Sequence, residues 1–158
     1  MAKAKKASDF ISTGLIAQNR RAHFDYLIEE KFVAGLELLG TEVKSLRQGH
    51  ANINDAFGVE HNGEIFMSNM FIAEYVNKGY ASHAEKRERK LLLKKKEIID
   101  ILNALARKGS TLVALRLFFD THGRAKLEVG LGRGKKIYDK RETIKNRELD
   151  RKIRLKDF

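Results

Sequence analysis

The dipeptide Asn62-Gly63 sits between two apolar runs, in DAFGVEHNGEIFMSNMFIAEY, and constrains the fold more than any other feature of the chain. Asn followed by Gly favours the left-handed dihedrals that a two-residue hairpin turn requires. A hairpin here commits its flanks to antiparallel sheet. A second pair follows later, where TLVALRLFFD and AKLEVGLG flank a turn at Thr121-His122-Gly123-Arg124. There Leu127, Val129 and Leu131 alternate with Lys126 and Glu128, as in a strand with one buried face. Upstream, FDYLIEEKFVAGLELLG reads as a long or bent strand starting near Phe24, with Gly35 as a bulge.

Two segments change to helical spacing. At Gly40-Thr41-Glu42, Thr41 can cap, Glu42 suits a helix N-terminus, Val43 and Leu46 are three apart, and Gly49 can end the turn, which predicts a short helix over EVKSLRQ. Ser82-His83-Ala84-Glu85 has the form of a capping box, and Leu91, Leu92, Ile98, Ile99, Leu102 and Leu105 follow at helical spacings until Gly109. That predicts one long helix. With 158 residues and 42% hydrophobic content, the chain can build one core but not two comfortable domains. The predicted fold is mainly β with helices: an oligonucleotide-binding-type antiparallel barrel of about six strands, one short and one long helix. Its expected boundaries are a flexible basic N-terminus over 1–15, the barrel over 16–134, and a basic C-terminal tail over 135–158, disordered when free.

Charge narrows the function. The chain carries 32 Lys and Arg against 21 Asp and Glu, a formal +11, which favours polyanions through phosphate attraction and counterion release. Basic clusters occur at Arg20-Arg21, at Lys86-Arg87, Arg89-Lys90 and Lys94-Lys95-Lys96, and at Arg133, Lys135 and Lys136. Three clusters on separate elements are what a phosphate-tracking surface uses. In GLGRGKKIYDKR, alternating glycines let backbone N–H groups approach a partner, and cations follow at once; the segment lacks the Gly-Lys-Ser/Thr of a nucleotide P-loop.

Catalysis finds little support. Glu29-Glu30, Glu37 and Glu42 are the nearest to paired carboxylates, and in a basic chain they read as solubilisers or ion-pair partners. The five histidines lie too far apart for two imidazoles on one helical turn, and there is no cysteine, so neither metal nor cofactor is predicted. No run approaches the roughly 18 apolar residues of a membrane span. MAKAKKASDF has charge without the apolar stretch of a secretory signal, so a cytoplasmic binding protein is expected.

Three segments together carry a family resemblance: GTEVKSLRQGHANINDAF (Gly40 to Phe57), RKLLLKKKEI (Arg89 to Ile98) and GKKIYDKR (Gly134 to Arg141). In this order and at these separations they resemble the SsrA-binding protein (SmpB) family over roughly Ile16 to Arg147. The resemblance implies a binding adaptor that grips the tRNA-like domain of transfer-messenger RNA. With alanine charged on that RNA and an elongation factor carrying GTP, it enters the vacant A site of a stalled ribosome for trans-translation. It further implies RNA contacts at Asn19, at Lys90 and Leu92, and at Gly134. Glu42, Lys44, Ser45 and Arg47 belong to the signature helix, whose polar residues are expected near the RNA. The basic positions Arg20, Arg21, Lys94, Arg133, Lys135 and Lys136 complete the expected RNA-binding set. Asp139, Lys140 and Arg141 match a tail motif that acts on the ribosome after RNA binding. The family's Ala-Arg-His-Asp-Tyr pattern appears here as AHFDY, and Val33 stands where the family often has Glu. The alternative from another class is a cold-shock-like single-strand binder that stacks bases on exposed aromatics.

The tail itself, DKRETIKNRELDRKIRLKDF, has neither Gly nor Pro. Its apolar residues Ile144, Leu149, Ile153, Leu155 and Phe158 do not make one helical stripe, so it cannot bury much surface against its own barrel. Disorder in the free protein, and a helix in the empty mRNA channel of the ribosome, are expected.

Overall fold

A computed structural model describes residues 11–75, 82–135 and 137–156. The chain runs β1 (Gly14–Gln18), α1 (Ala22–Asp25), β2 (Tyr26–Leu36), α2 (Gly40–Arg47), β3 (Ala51–Asn52), β4 (Phe57–His61), β5 (Glu64–Ser68), β6 (Phe71–Ile72), β7 (Arg89–Leu92), α3 (Lys95–Leu105), β8 (Ser110–Phe119), β9 (Ala125–Gly134) and α4 (Ile137–Lys156). The main sheet has the order β1-β8-β4-β5-β7-β2-β9, and β8 also pairs with β9. That last pairing closes six strands into an antiparallel barrel, with β1 added outside the ring on β8. Strands β3 and β6 form a separate small ladder.

Both hairpins form where the sequence places them. Asn62 and Gly63 take φ of +53° and +78°, and His61 pairs with Glu64 across the turn. Asp120 organises the other turn, its side chain accepting the backbone N–H groups of His122 and Arg124, each at 2.9 Å. Inward-facing Phe32 and Ala34 of β2, Ile65 and Met67 of β5, and Leu127, Val129 and Leu131 of β9 fill the barrel, and Ile101 of α3 joins them. A second, smaller core lies outside the barrel wall. There Ala22 of α1 meets Val113 and Leu115, with Tyr26 and Ile28 against them.

Three details differ from the sequence prediction. First, the fold begins before Phe24: β1 starts at Gly14 and lies antiparallel on β8, from Gly14 opposite Phe119 to Gln18 opposite Arg116. Second, Gly35 is not the bulge. The register slips between Ile28 and Glu30, whereas Gly35 pairs with Lys126 on one side and Leu92 on the other. A Cβ at Gly35 would lie 3.2 Å from the Leu92 Cβ.

Third, the long helix is two elements. Residues 89–92 are strand β7, paired with β5 and β2, and α3 begins only at Lys95. Ser82 does not cap it; Lys94 is the N-cap, and its backbone N–H donates to Glu97 Oε1 at 3.1 Å. The leucines fit both periods, but tertiary pairing decides: Leu91 turns inward and Leu92 outward. The chain closes with α4, helical from Ile137 to Lys156. The absence of Gly and Pro permits this, and Lys140, Thr143 and Arg147, in its first three turns, make contacts with the barrel side. Beyond them the helix does stand off the barrel, with Leu149 61% and Leu155 70% exposed.

Candidate nucleic-acid interface

The pairing registers fix which side chains share the outer face of the barrel wall. One row across five strands reads Leu92, Gly35, Lys126, Phe118 and Leu15; the next reads Val33, Glu128, Arg116 and Gln18. Lys31 stands opposite Gly130 in the row after that. Leu92 and Val33 are about half exposed. Arg116 lies over the Phe118 ring at 5.4 Å and pairs with Glu128 at 3.2 Å.

At one end this face runs into a hollow of about 580 Å³ lined by Gln18, Asn19, Arg20, His23, Lys31, Leu115, Arg116 and Glu128. Asn19 is buried in its wall. Its Nδ2 donates to the backbone carbonyls of Ala114 (3.0 Å) and Asn54 (3.3 Å), while Oδ1 has no partner among the described residues. Asn19 therefore fixes the β1–α1 turn that carries Arg20 and Arg21.

A second group converges at the end of β9. Arg133 pairs with Glu29 at 3.4 Å, the Lys135 backbone N–H donates to the Asp25 carbonyl at 2.9 Å, and Lys135 Nζ reaches Thr143 Oγ1 at 3.2 Å. Arg21 and Lys140 both approach the Asp25 carboxylate, at 3.7 and 3.5 Å. The glycines of GLGRG play a different part from the one predicted. A Cβ at Gly130 would meet Ile28 and Leu115 at 3.0 Å, and one at Gly132 would meet Ile28 and the Leu27 carbonyl at 3.1 Å. These two let Ile28 of β2 and Leu115 of β8 pack closely against β9, and their N–H groups belong to the strand ladder. Gly134 alone is exposed with open space beside it.

Helix α2 divides into an inner and an outer half. Glu42 and Ser45, expected near RNA, are buried. The Glu42 carboxylate accepts the Leu39 N–H at 2.9 Å and hydrogen bonds from Arg87 and Arg89. Arg89, also expected on the surface, is wholly inside; besides Glu42 it donates to the carbonyls of Met70, Ala84 and Glu85. Burial alone would push the Glu42 carboxyl up, but hydrogen bonds from Arg87, the Leu39 backbone and Arg89, with the Arg89 charge, hold it below the ordinary carboxylate value. Ser45 donates to the Ala73 carbonyl at 2.7 Å. Thr41 is no cap either: Leu39 is the N-cap, and the Thr41 hydroxyl meets His83 Nδ1 at 2.9 Å while His83 Nε2 meets the Ile72 carbonyl at 3.0 Å. The outer half presents Lys44 near the Tyr75 ring and Arg47 near the Phe119 ring, at 5.4 and 4.9 Å.

Of the remaining predicted residues, Lys90 faces outward on β7 and pairs with Glu64 at 2.8 Å, and Lys94 is exposed at the start of α3. Lys136 lies outside the described residues; Asp139, Lys140 and Arg141 fall in the first turns of α4. The outer sheet face thus joins Leu92 to Asn19 and Arg20, and adds three cations that the sequence reading left out: Lys31, Arg116 and Lys126. Their signal was strand parity, since each occupies the outward phase opposite a buried neighbour. No group of three or more His, Cys, Asp or Glu that could hold a metal occurs among the described residues.

A closed antiparallel barrel with a cationic outer face and basic elements at one end defines an RNA-binding protein of the oligonucleotide-binding type. The SmpB protein family model matches residues 16–156, so the chain belongs to the SmpB family. Among its relatives, the SsrA-binding protein of Sinorhizobium fredii (strain NBRC 101917 / NGR234) is 45% identical over 94% of this chain and 93% of that one. The SsrA-binding protein of Wolbachia pipientis subsp. Culex pipiens (strain wPip) is 50% identical over 87% of this chain and 92% of its own. A chain in a solved structure described as "tmRNA-SmpB: a journey to the center of the bacterial ribosome" is 43% identical, with a TM-score of 0.66, covering 80% of this chain and 86% of that one.

Proposed function

We propose that this protein binds the tRNA-like domain of transfer-messenger RNA and brings it to stalled ribosomes for trans-translation, acting by binding and not as an enzyme. Family membership supports the partner, and the outer sheet face supports the mode. Lys31, Arg116 and Lys126 on that face lead to Arg20 and Arg21 at its end, a cationic track on a rigid wall. A rigid wall suits a folded RNA, because A-form RNA is recognised by shape and by phosphate and 2′-hydroxyl positions. Arg133, Lys135 and the outer residues of α2, Lys44 and Arg47, extend the same readout. Asp139, Lys140 and Arg141 act afterwards, when the tail meets the decoding centre and the mRNA channel. The elongation factor with GTP takes part through the RNA, the protein works as a monomer, and its place is the cytoplasm. No helix among the described residues is long and apolar enough to cross a membrane.

The test is binding of a tRNA-like transcript at several salt concentrations, with poly-pyrimidine as competitor. Replacing Lys31, Lys126 and Lys135 by Ala one at a time should weaken binding and lower the slope of log affinity against log salt by about one each. Poly-pyrimidine should compete poorly. Effective competition by it, or a salt slope unmoved by all three changes, would favour the single-strand binder.

A further inference from the structure

The small ladder of β3 and β6 borders a hollow of about 270 Å³ lined by Asn52, Asp55, Asn69, Phe71 and Lys86. Asn52 stands directly opposite Phe71 in the ladder. The loop after β3 is set by the Asn54 backbone N–H, which donates to Asn52 Oδ1 at 2.9 Å. Asn69, in the left-handed region at φ +57°, donates through Nδ2 to the Asp55 carbonyl at 3.3 Å. The segment carrying Lys86 is held as firmly: the Ile72 N–H donates to the Glu85 carbonyl at 2.9 Å, and buried Arg89 donates to the carbonyls of Ala84 and Glu85. Ile53, Met70 and Ile72, interleaved in sequence with these rim residues, are buried in the barrel core and anchor the rim.

Those bonds leave the recognition groups unused. Asn52 Nδ2, Asn69 Oδ1, the Asp55 carboxylate and the Lys86 ammonium have no hydrogen-bond or ion-pair partner among the described residues. An aromatic ring, two amide ends, one carboxylate and one ammonium surround a space below the roughly 300–1,000 Å³ of pockets for drug-sized ligands, which suits a single planar base. Of the four RNA bases, guanine alone offers two adjacent donors, N1–H and N2–H, to one carboxylate, with the O6 acceptor beside them for a cation. We propose that this hollow takes an unpaired guanine: Phe71 stacks on the base, Asp55 accepts N1–H and N2–H, and Lys86 donates to O6. Unstacked RNA bases are read in this way, on an aromatic ring and along the Watson–Crick edge. The Asn54 carbonyl, in the same loop, accepts from Asn19 Nδ2 at 3.3 Å, and Asn19 lines the cationic hollow with Arg20. One loop thus connects the wall to the pocket, and the RNA bound on the wall supplies the base. That source rests on the RNA-binding reading, whereas the chemistry of the pocket does not.

The test titrates the full chain with GMP, AMP, CMP and UMP, following the backbone amide shifts of Asn52, Asp55, Asn69 and Lys86. All four carry the same phosphate, so differences among them report the base. GMP should bind about tenfold more tightly than the others. Asp55→Asn turns one acceptor into a donor, which suits the C2 carbonyl of xanthine, and should make XMP bind more tightly than GMP. Unfolding cannot produce such a reversal. Equal binding of the four nucleotides, or an Asp55→Asn variant that still prefers GMP to XMP, overturns the proposal. For the source, Asp55→Asn and Phe71→Ala should each weaken binding of the tRNA-like transcript about fivefold and leave its salt slope unchanged, because a base contact releases no counterions. Selective GMP binding with transcript affinity unmoved overturns the RNA source and leaves a free guanine nucleotide as the ligand. A transcript that the unaltered chain does not bind overturns the functional reading instead, and the GMP result stands.

Discussion

Two charged junctions tie elements together, and they are built in opposite ways. At α2, Glu42 and Arg89 are entirely buried, and each satisfies several groups besides the other. At the tail root, Asp25 and Lys140 are each about a third exposed and meet at 3.5 Å. The buried junction is over-determined: removing one member strands a charge in a dry interior, so the geometry around it has one arrangement. The exposed junction can open and let water replace each contact at little cost. Fixed architecture is placed where water is absent, and a movable joint where it is present.

The sharpest break in that comparison is Glu42→Ala. It leaves Arg89 buried without its counter-charge and should cost about 3–5 kcal/mol in urea unfolding. A loss below about 1 kcal/mol would mean that water already reaches the pair. Acid should reveal the same junction: a carboxyl held below its ordinary value contributes stability that is present above the unfolded value near pH 4.3 and is lost as pH falls through the folded value. The Glu42→Gln variant should show a shallower fall in stability through that range than the unaltered chain. Next in size is Gly132→Val, which drives a side chain against Ile28 and the Leu27 carbonyl. About 1–3 kcal/mol of destabilisation is expected, together with weaker RNA binding as α1 shifts. Smallest is Lys140→Ala, which should change global stability by under about 1 kcal/mol, within the range of exposed ion pairs, and yet reduce tagging.

Much of this was legible in the sequence wherever a signal is local. Asn62-Gly63 and Gly49 take the positive φ that their types favour, and the α2 helix falls where its glycines and apolar spacing put it. Signals split over distance were not legible. Strand β7 is four residues long, and its leucines continue into a helical pattern; only its partners on β5 and β2 decide the matter. Glu42 looks like an ordinary first-turn acid, because the arginines that bury it lie 45 and 47 residues away. The same holds for the wall cations: Lys31, Arg116 and Lys126 are scattered in sequence and become neighbours only through the register. Strand β1 was missed because GLIAQ is short and mostly exposed.

The placement of β1 has one more consequence. Strand β8 divides its outer edge between β4, which pairs at Val113, and β1, which covers Arg116 to Phe119. A chain shortened to begin at Arg20 would leave that second half as a bare strand edge beside Phe118, open to a strand from another molecule. Such a protein should scatter light increasingly with concentration. The modest leading strand thus keeps a protein that must wait for its RNA from sticking to its own copies.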